Sequence, residues 1–229
     1  YDFRQNDLKN GGEGAPLTPI FHKMLAEKFN LAQKNISPST QGTFINIGGI
    51  TNITRIDSDF NIYAQDCGPG MCLIDKWIRL NSKNKIDKDG KIASKGNIKN
   101  EIVRDYIMKT HKLLDNYRGS LDVGDYNLSL VKNLSLEDGA ATLIELTAVN
   151  TLEWAERYSP EKTNLILCGG GRKNNFLLER INKYMMIHEG HKLFNLKMID
   201  EFGIDGDFIE SQAFAYLAIR SYLKLPISF

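Results

Sequence analysis

Two glycine bends, each closing an apolar run, constrain this chain more than any other feature. FINIGGITNITRI spans 44–56 and LILCGGGRKN spans 165–174. Short apolar runs such as TFINI and TNLILC suit buried strands. Glycines at their ends admit backbone conformations and close approaches that side chains forbid. At the first bend, Asn46 and Asn52 flank Gly48-Gly49 on either side. The residues alone leave two readings open: a plain two-residue hairpin, or a cradle of amide and backbone N–H groups for a phosphate. The second bend runs strand, Gly169-Gly170-Gly171, then Asn174 or Asn175 opening a helix with Leu177, Leu178 and Ile181. That order can receive a nucleotide at a helix N-terminus. The spacing is not GxGxxG, so a dinucleotide fold is not implied. The expectation is that Gly49 and Gly170 open onto one cavity.

Around these bends the chain reads as alternating strands and helices. After the loop GGEGAP, Pro19 opens a helical run with Ile20, Met24, Leu25 and Phe29. His22 on that helix reads as a partly buried surface histidine. ITNITRI and IYAQ follow the first strand as two more, giving an antiparallel meander. Asp66-Cys67-Gly68-Pro69-Gly70 then leads into a helix, MCLIDKWIRL, with Leu73, Trp77 and Leu80 on one side. Asp66 suits either a metal-bound water or substrate hydroxyl or a helix cap. Asp75 reads as lacking a partner on its own helix. Residues 81–100 read as a lysine-rich exposed loop rather than an anion site. Helices are expected over 101–113 and 139–157, the latter burying Leu143, Ile144, Ala148, Thr151 and Ala155. A strand at 196–199 and a helix at 208–223 close the chain. The whole implies an α/β domain with a mixed sheet.

Composition removes several classes of function. Lys and Arg number 29 against 28 Asp and Glu, so there is no electrostatic case for nucleic acid or an anionic membrane. The longest apolar run falls far short of a membrane span. Cys67, Cys72 and Cys168 make no disulfide framework, and their spacing suits no zinc site, which favours a reducing interior. The 229 residues, 42% of them hydrophobic, can fill one large domain or one and a half smaller ones. At the start of the chain, Asp2 and Asp7 bracket Arg4 just before Gly11, Gly12 and Gly14. By themselves these residues favour a charged surface turn.

Taken in order, the motifs resemble one family. DFRQNDLKNGGEGAPLTPIFH, NIGGITNIT, QDCGPGMCLIDKW, IDKDGKIASKG, ELTA at 145–148, CGGGRKN and ESQAFAYLA are similar in sequence and spacing to anhydro-N-acetylmuramic acid kinases. These are bacterial cell-wall recycling enzymes of the actin/hexokinase-type (RNase H-like) ATPase superfamily. The resemblance implies an α/β ATPase domain with a mixed five-stranded sheet and flanking helices. It implies ATP with Mg²⁺, anhydro-N-acetylmuramic acid as substrate, a cytoplasmic setting and a homodimer, with neither nucleic acid nor membrane as partner. It further implies Asp2 as the base that activates water, with Asp7 as the alternative. Arg4, Gly11, Gly12 and Gly14 would meet the amino sugar. Gly48 and Gly49 match the second phosphate hairpin, and Asp66 with Gly68 the phosphate and metal centre. Gly169, Gly170, Gly171 and Asn174 match the adenosine loop.

The chain also departs from the family pattern. The glycine- and serine-rich first phosphate loop is absent, with the N-terminal domain that carries it. Cys67 and Met71 stand where Thr and Asn are usual, and Gly119 where a lysine is usual. The resemblance therefore implies a truncated kinase: residues 1–40 end the N-terminal domain and supply an interdomain substrate segment, and 41–229 form the C-terminal ATPase domain. A separately encoded N-terminal domain would be its partner, and the chain alone is expected to be inactive. The alternatives are a decayed nucleotide-binding module without catalysis and a structural or interaction domain.

Overall fold

The alternation at 43–65 becomes an antiparallel meander in the computed structural model, which describes residues 3–9, 17–31, 42–114, 121–159, 163–187 and 194–228. Within those ranges the side chains of residues 4, 6, 7, 110–114 and 125 stand outside the description. Strands β1 (Gly42–Ile47), β2 (Ile50–Ile56) and β3 (Ile62–Pro69) pair in sequence, with Asn46 opposite Asn52. At the turn into β3 the Asp57 carboxylate accepts N–H bonds from Asp59 at 2.8 Å and Asn61 at 2.9 Å. Strand β4 (Asn164–Cys168) then pairs parallel to β1, and β5 (Asn195–Met198) parallel to β4. The order is β3-β2-β1-β4-β5. Helices cover both faces, so the expected mixed five-stranded α/β architecture is what forms.

Side-chain alternation along the strands builds two cores. Phe44, Ile56, Ile166 and Cys168 face one side, against Phe21 and Leu25 of α2 (Pro19–Lys28) and Ile209 and Ala213 of α7 (Ile209–Tyr222). Ile45, Ile47, Ile53, Leu165 and Leu167 face the other. There they meet α3 (Cys72–Asn81), α5 (Leu136–Tyr158) and α6 (Asn175–Ile187). Helix α4 (Asn100–Leu114) packs outside α5 through Val103 and Ile107. Every residue of β4 is buried, as its apolar run predicts. Helix α5 starts three residues before the expected boundary because the Ser135 hydroxyl accepts the Asp138 N–H at 3.1 Å, capping it. Buried Glu145 of α5 accepts a 2.7 Å bond from Arg180 and a 2.8 Å bond from Tyr184, which fixes α6.

Four expectations change. Leu80 is 69% exposed while Ile74 and Ile78 are buried beside Leu73 and Trp77. From Arg79 onward every residue of α3 is exposed, so the last turn has nothing to pack on. His22 is buried rather than partly exposed, its ring stacked on Phe44 at 4.8 Å. Strand β3 continues through Asp66 to Pro69, so the Gly-Pro segment is strand rather than loop. Proline is tolerated there because β3 is an edge strand. Asp75 does have a neighbour on its helix, the charge of Arg79 one turn on. The first described helix, α1 (Phe3–Lys9), rests Phe3 against Phe214 of α7, with ring centroids 6.1 Å apart. Phe208, Phe214, Ile219 and Tyr222 on that side of the molecule are exposed. Among the described residues no helix is long and apolar enough to cross a membrane.

Candidate functional site

Parallel pairing of β1 and β4 sets Asn46 opposite Cys168, so the two glycine bends leave the sheet side by side. Gly169 has φ +79°, and a Cβ there would lie 2.4 Å from Asn46 Oδ1 and 2.7 Å from the Ile47 carbonyl oxygen. No L side chain fits that contact, and the conformation itself favours glycine. The first bend is held through its carbonyls. Gly48 accepts the Met71 N–H at 2.8 Å, and Gly49 accepts those of Gly70 at 2.9 Å and Cys72 at 3.2 Å. The second is held by a side chain. Arg172 donates to the Gly169 carbonyl at 3.0 Å, to both Asp200 oxygens at 2.8 and 3.2 Å, and to Asp207 at 3.0 Å. Those bonds hold the Asp200 carboxyl well below its ordinary range, at about 2.

Between the bends lies a cleft of about 500 Å³. Ile47, Gly48 and Gly49 form one wall, and Gly170, Lys173 and Asn174 another. Gly49 and Gly170 therefore share one cavity. Asn174 is buried, and its Oδ1 accepts the Leu177 N–H at 3.0 Å, capping α6. Its Nδ2 is buried without a hydrogen-bond partner. Gly170 is open, since a Cβ there would meet nothing within 4 Å, whereas Gly171 packs against Ile47.

The remaining walls come from stretches that sequence reasoning set aside. Met71 and Asp75 enter from the start of α3, and Ile86, Asp87, Lys88 and Asp89 close the cleft. Residues 81–100 are thus not simply an exposed loop. Asp87 is buried, and its two oxygens accept N–H bonds from Ile92 at 2.8 Å and Ala93 at 2.9 Å. Gly90, at φ +72°, lies so close to α6 that a Cβ would stand 2.5 Å from Asn174 Oδ1 and 2.5 Å from Phe176 Cβ. A signal for this turn was present in the sequence: Asp87 and Gly90 are spaced as the first and last residues of a β-turn.

Asp66 and Gly68 sit apart from the cleft-lining residues, on β3 behind the first bend. Asp66 pairs across the strands with Asn52, which pairs with Asn46. The carboxylate is buried, and its Oδ2 accepts the Leu121 N–H at 2.9 Å. The strand is held from behind by α5. Thr147 donates to the Gly70 carbonyl at 2.9 Å, and Asn150 donates to that of Cys67 at 2.9 Å. No group of three His, Cys, Asp or Glu side chains able to hold a metal exists among the described residues. A single carboxylate suits Mg²⁺ that arrives on substrate phosphates and keeps its waters, rather than an ion caged by protein.

A family model for anhydro-N-acetylmuramic acid kinase matches residues 1–229. The chain belongs to the anhydro-N-acetylmuramic acid kinase family. It is 42% identical to a protein of that description from Pelagibacter ubique, 37% to one from Rhizobium etli and 36% to one from Brucella canis. Each similarity covers 100% of this chain but only 60%, 58% and 59% of the relative. The chain therefore spans about three-fifths of the length of these kinases. Its fold is the actin/hexokinase-type ATPase fold of the family. Of the departures from the family pattern, Cys67 is buried in the core and Met71 lines the cleft. Asp2, Gly11, Gly12 and Gly14, the residues expected on the sugar side, lie outside the described residues. Arg4 and Asp7 fall on α1, but their side chains lie outside the description.

Proposed function

We propose that this chain is the ATP-binding part of a kinase that opens the 1,6-anhydro ring of anhydro-N-acetylmuramic acid and phosphorylates O6. The observation that carries the reading is the single cleft shared by Gly48, Gly49, Gly170 and Asn174. Family membership supports the substrate. In this reading water adds to the anomeric carbon, and its proton passes to Asp2 or, failing that, Asp7. The bond from that carbon to O6 breaks, and O6 takes the γ-phosphoryl group, leaving ADP and N-acetylmuramate 6-phosphate. Arg4, Gly11, Gly12 and Gly14 bind the amino sugar. Gly48, Gly49, Gly68, Gly169, Gly170, Gly171 and Asn174 bind ATP, and Asp66, set back on β3, would hold its Mg²⁺. The bound ion neutralises charge on the phosphates. The protein's share is positioning, which dominates phosphoryl transfer.

In this reading a second domain covers the cleft, so this chain alone turns over no substrate, since water is not excluded. The reading places residues 1–40 at the end of that N-terminal domain and 41–229 in the ATPase domain of a cytoplasmic enzyme. The exposed Phe208, Phe214, Ile219 and Tyr222 support a further protein surface against this one.

Titration calorimetry with Mg-ATP tests the reading. Gly170→Val fits the backbone and adds bulk to a wall of the cleft, so it should weaken binding about tenfold while the melting temperature holds. Equal binding by the variant and the parent would sink the shared-cleft reading. Adding the family's N-terminal domain in trans should yield the phosphorylated sugar. Binding without any product in that mixture would favour a decayed nucleotide-binding module instead. Sedimentation of the chain alone would show whether two copies use the exposed α7 side as a homodimer.

A further inference from the structure

We infer that Asp75 determines which nucleoside the cleft accepts, by taking a hydrogen bond from a donor on the sugar or base; the inference rests on the nucleotide reading above. The ionisable side chains around the cleft are otherwise occupied or reach solvent. Asp87 accepts two backbone N–H groups, Asp89 pairs with Lys91 at 3.2 Å and Lys173 pairs with Asp207. Lys88 is exposed. Asp75 is half-buried and lines the cleft, yet among the described residues its carboxylate makes no hydrogen bond or ion pair. Burial pushes its pKa up from the usual carboxylate range, against the weaker pull of Arg79.

A second unpaired group lies in the same cleft. Asn174 is 3% exposed, and its Nδ2 donor has no partner. One acceptor and one donor, both unmet, stand among the apolar side chains of Ile47, Met71 and Ile86. An unmet buried amide donor is costly, and a carboxylate half-buried in an apolar wall gains from a partner, so the site suits a ligand that satisfies both. A phosphate offers no donor to a carboxylate and is repelled by it. The matching ligand surface is neutral, with a hydrogen-bond donor for Asp75 and an acceptor for Asn174. Two parts of a nucleoside carry such donors: the ribose, through its 2′- and 3′-hydroxyls, and adenine, through its exocyclic amine. Sites that hydrogen-bond a ligand hydroxyl or amine reject analogues lacking it strongly, because the protein group is then left unpaired.

The experiment measures Mg-bound ATP, 2′,3′-dideoxy-ATP and purine riboside triphosphate binding to the full chain and to Asp75→Asn and Asn174→Asp. Asparagine at 75 keeps the shape, and aspartate at 174 keeps the oxygen that caps α6. The parent should lose roughly tenfold or more on one of the two analogues, which identifies the donor as hydroxyl or amine. Asp75→Asn should lose a similar factor on ATP and no more on that analogue. Asn174→Asp should weaken ATP as well. If Asp75→Asn binds all three ligands as the parent does, or weakens all three equally, the inference is wrong while the nucleotide reading stands. If the parent binds none of the three, the nucleotide reading fails and this inference fails with it.

Discussion

The two glycine bends do similar work but are fixed in different ways. The Gly48-Gly49 bend is held by backbone: its carbonyls accept the N–H groups that open α3. The Gly169–Gly171 bend is held by charge: Arg172 spans the Gly169 carbonyl, Asp200 and Asp207. A backbone-held turn tolerates changes of side chain, salt and pH. A turn held by one guanidinium depends on that side chain and on the ionisation of its partners. The difference also shows in space. Gly48 would seat a Cβ with its nearest neighbour 3.6 Å away, whereas Gly169 would not seat one at all.

Breaking the second bend sterically should have the largest effect. Gly169→Val combines a positive φ with contacts under 3 Å to Asn46 and Ile47, and should cost about 3 kcal/mol in urea unfolding, summing backbone strain and overpacking. Removing the clamp comes next. Arg172→Met should cost about 2 kcal/mol, since two carboxylates and a carbonyl lose a charged donor, and Arg172→Lys should recover little of it because the fork is gone.

Acid sharpens the contrast. Asp200 titrates in the folded state at about 2, below its ordinary 3.8, so its contribution is complete above that ordinary value and is lost as pH falls toward 2. Buried His22 titrates at about 3 instead of 6.5. The unfolded chain therefore binds that proton first, and stability falls as pH drops from 6.5 to 3. In a His22→Phe background, whose ring can keep the stack on Phe44, thermal melts should stay flat over that upper range. A remaining fall below 3.8 should shrink with Arg172→Met but not vanish, because Asp57 and Asp138 also titrate below their ordinary range. The smallest effect should be Gly48→Ala, under about 1 kcal/mol, with φ already in a range alanine adopts and only ordinary van der Waals contacts at 3.6 Å around it. A large loss there would mean that the first bend is as strained as the second.

Much of the fold was legible because local rules decide it. The β-rich alternation at 43–65 and the buried run at 164–168 follow from side-chain periodicity, and family motifs gave the rest of the order; α5 instead is buried on nearly every side, Glu145, Thr147 and Asn150 included, where one buried stripe was expected. Asn46 and Asn52 face each other because Ile47 pairs with Thr51, so the bend holds three residues rather than the two of a plain hairpin. Leu80 and His22 escape such rules because periodicity gives the side of a helix but not where its partner ends or how closely it lies. Asp75 and the turn at Asp87–Gly90 escape them because a charged residue in a polar run is indistinguishable from a solvated one until its backbone partners are known.

The sequence by itself determined where the chain must bend, since φ restrictions and buried strand runs are properties of a few adjacent residues. It also carried enough ordered motifs to specify the family. Only the tertiary structure decided that residues from four separate segments, around positions 48, 75, 88 and 172, close one cleft. Those contacts join groups far apart in the chain, and they exist only because β1 and β4 pair in parallel and α5 holds α3 and α6 against the same face of the sheet.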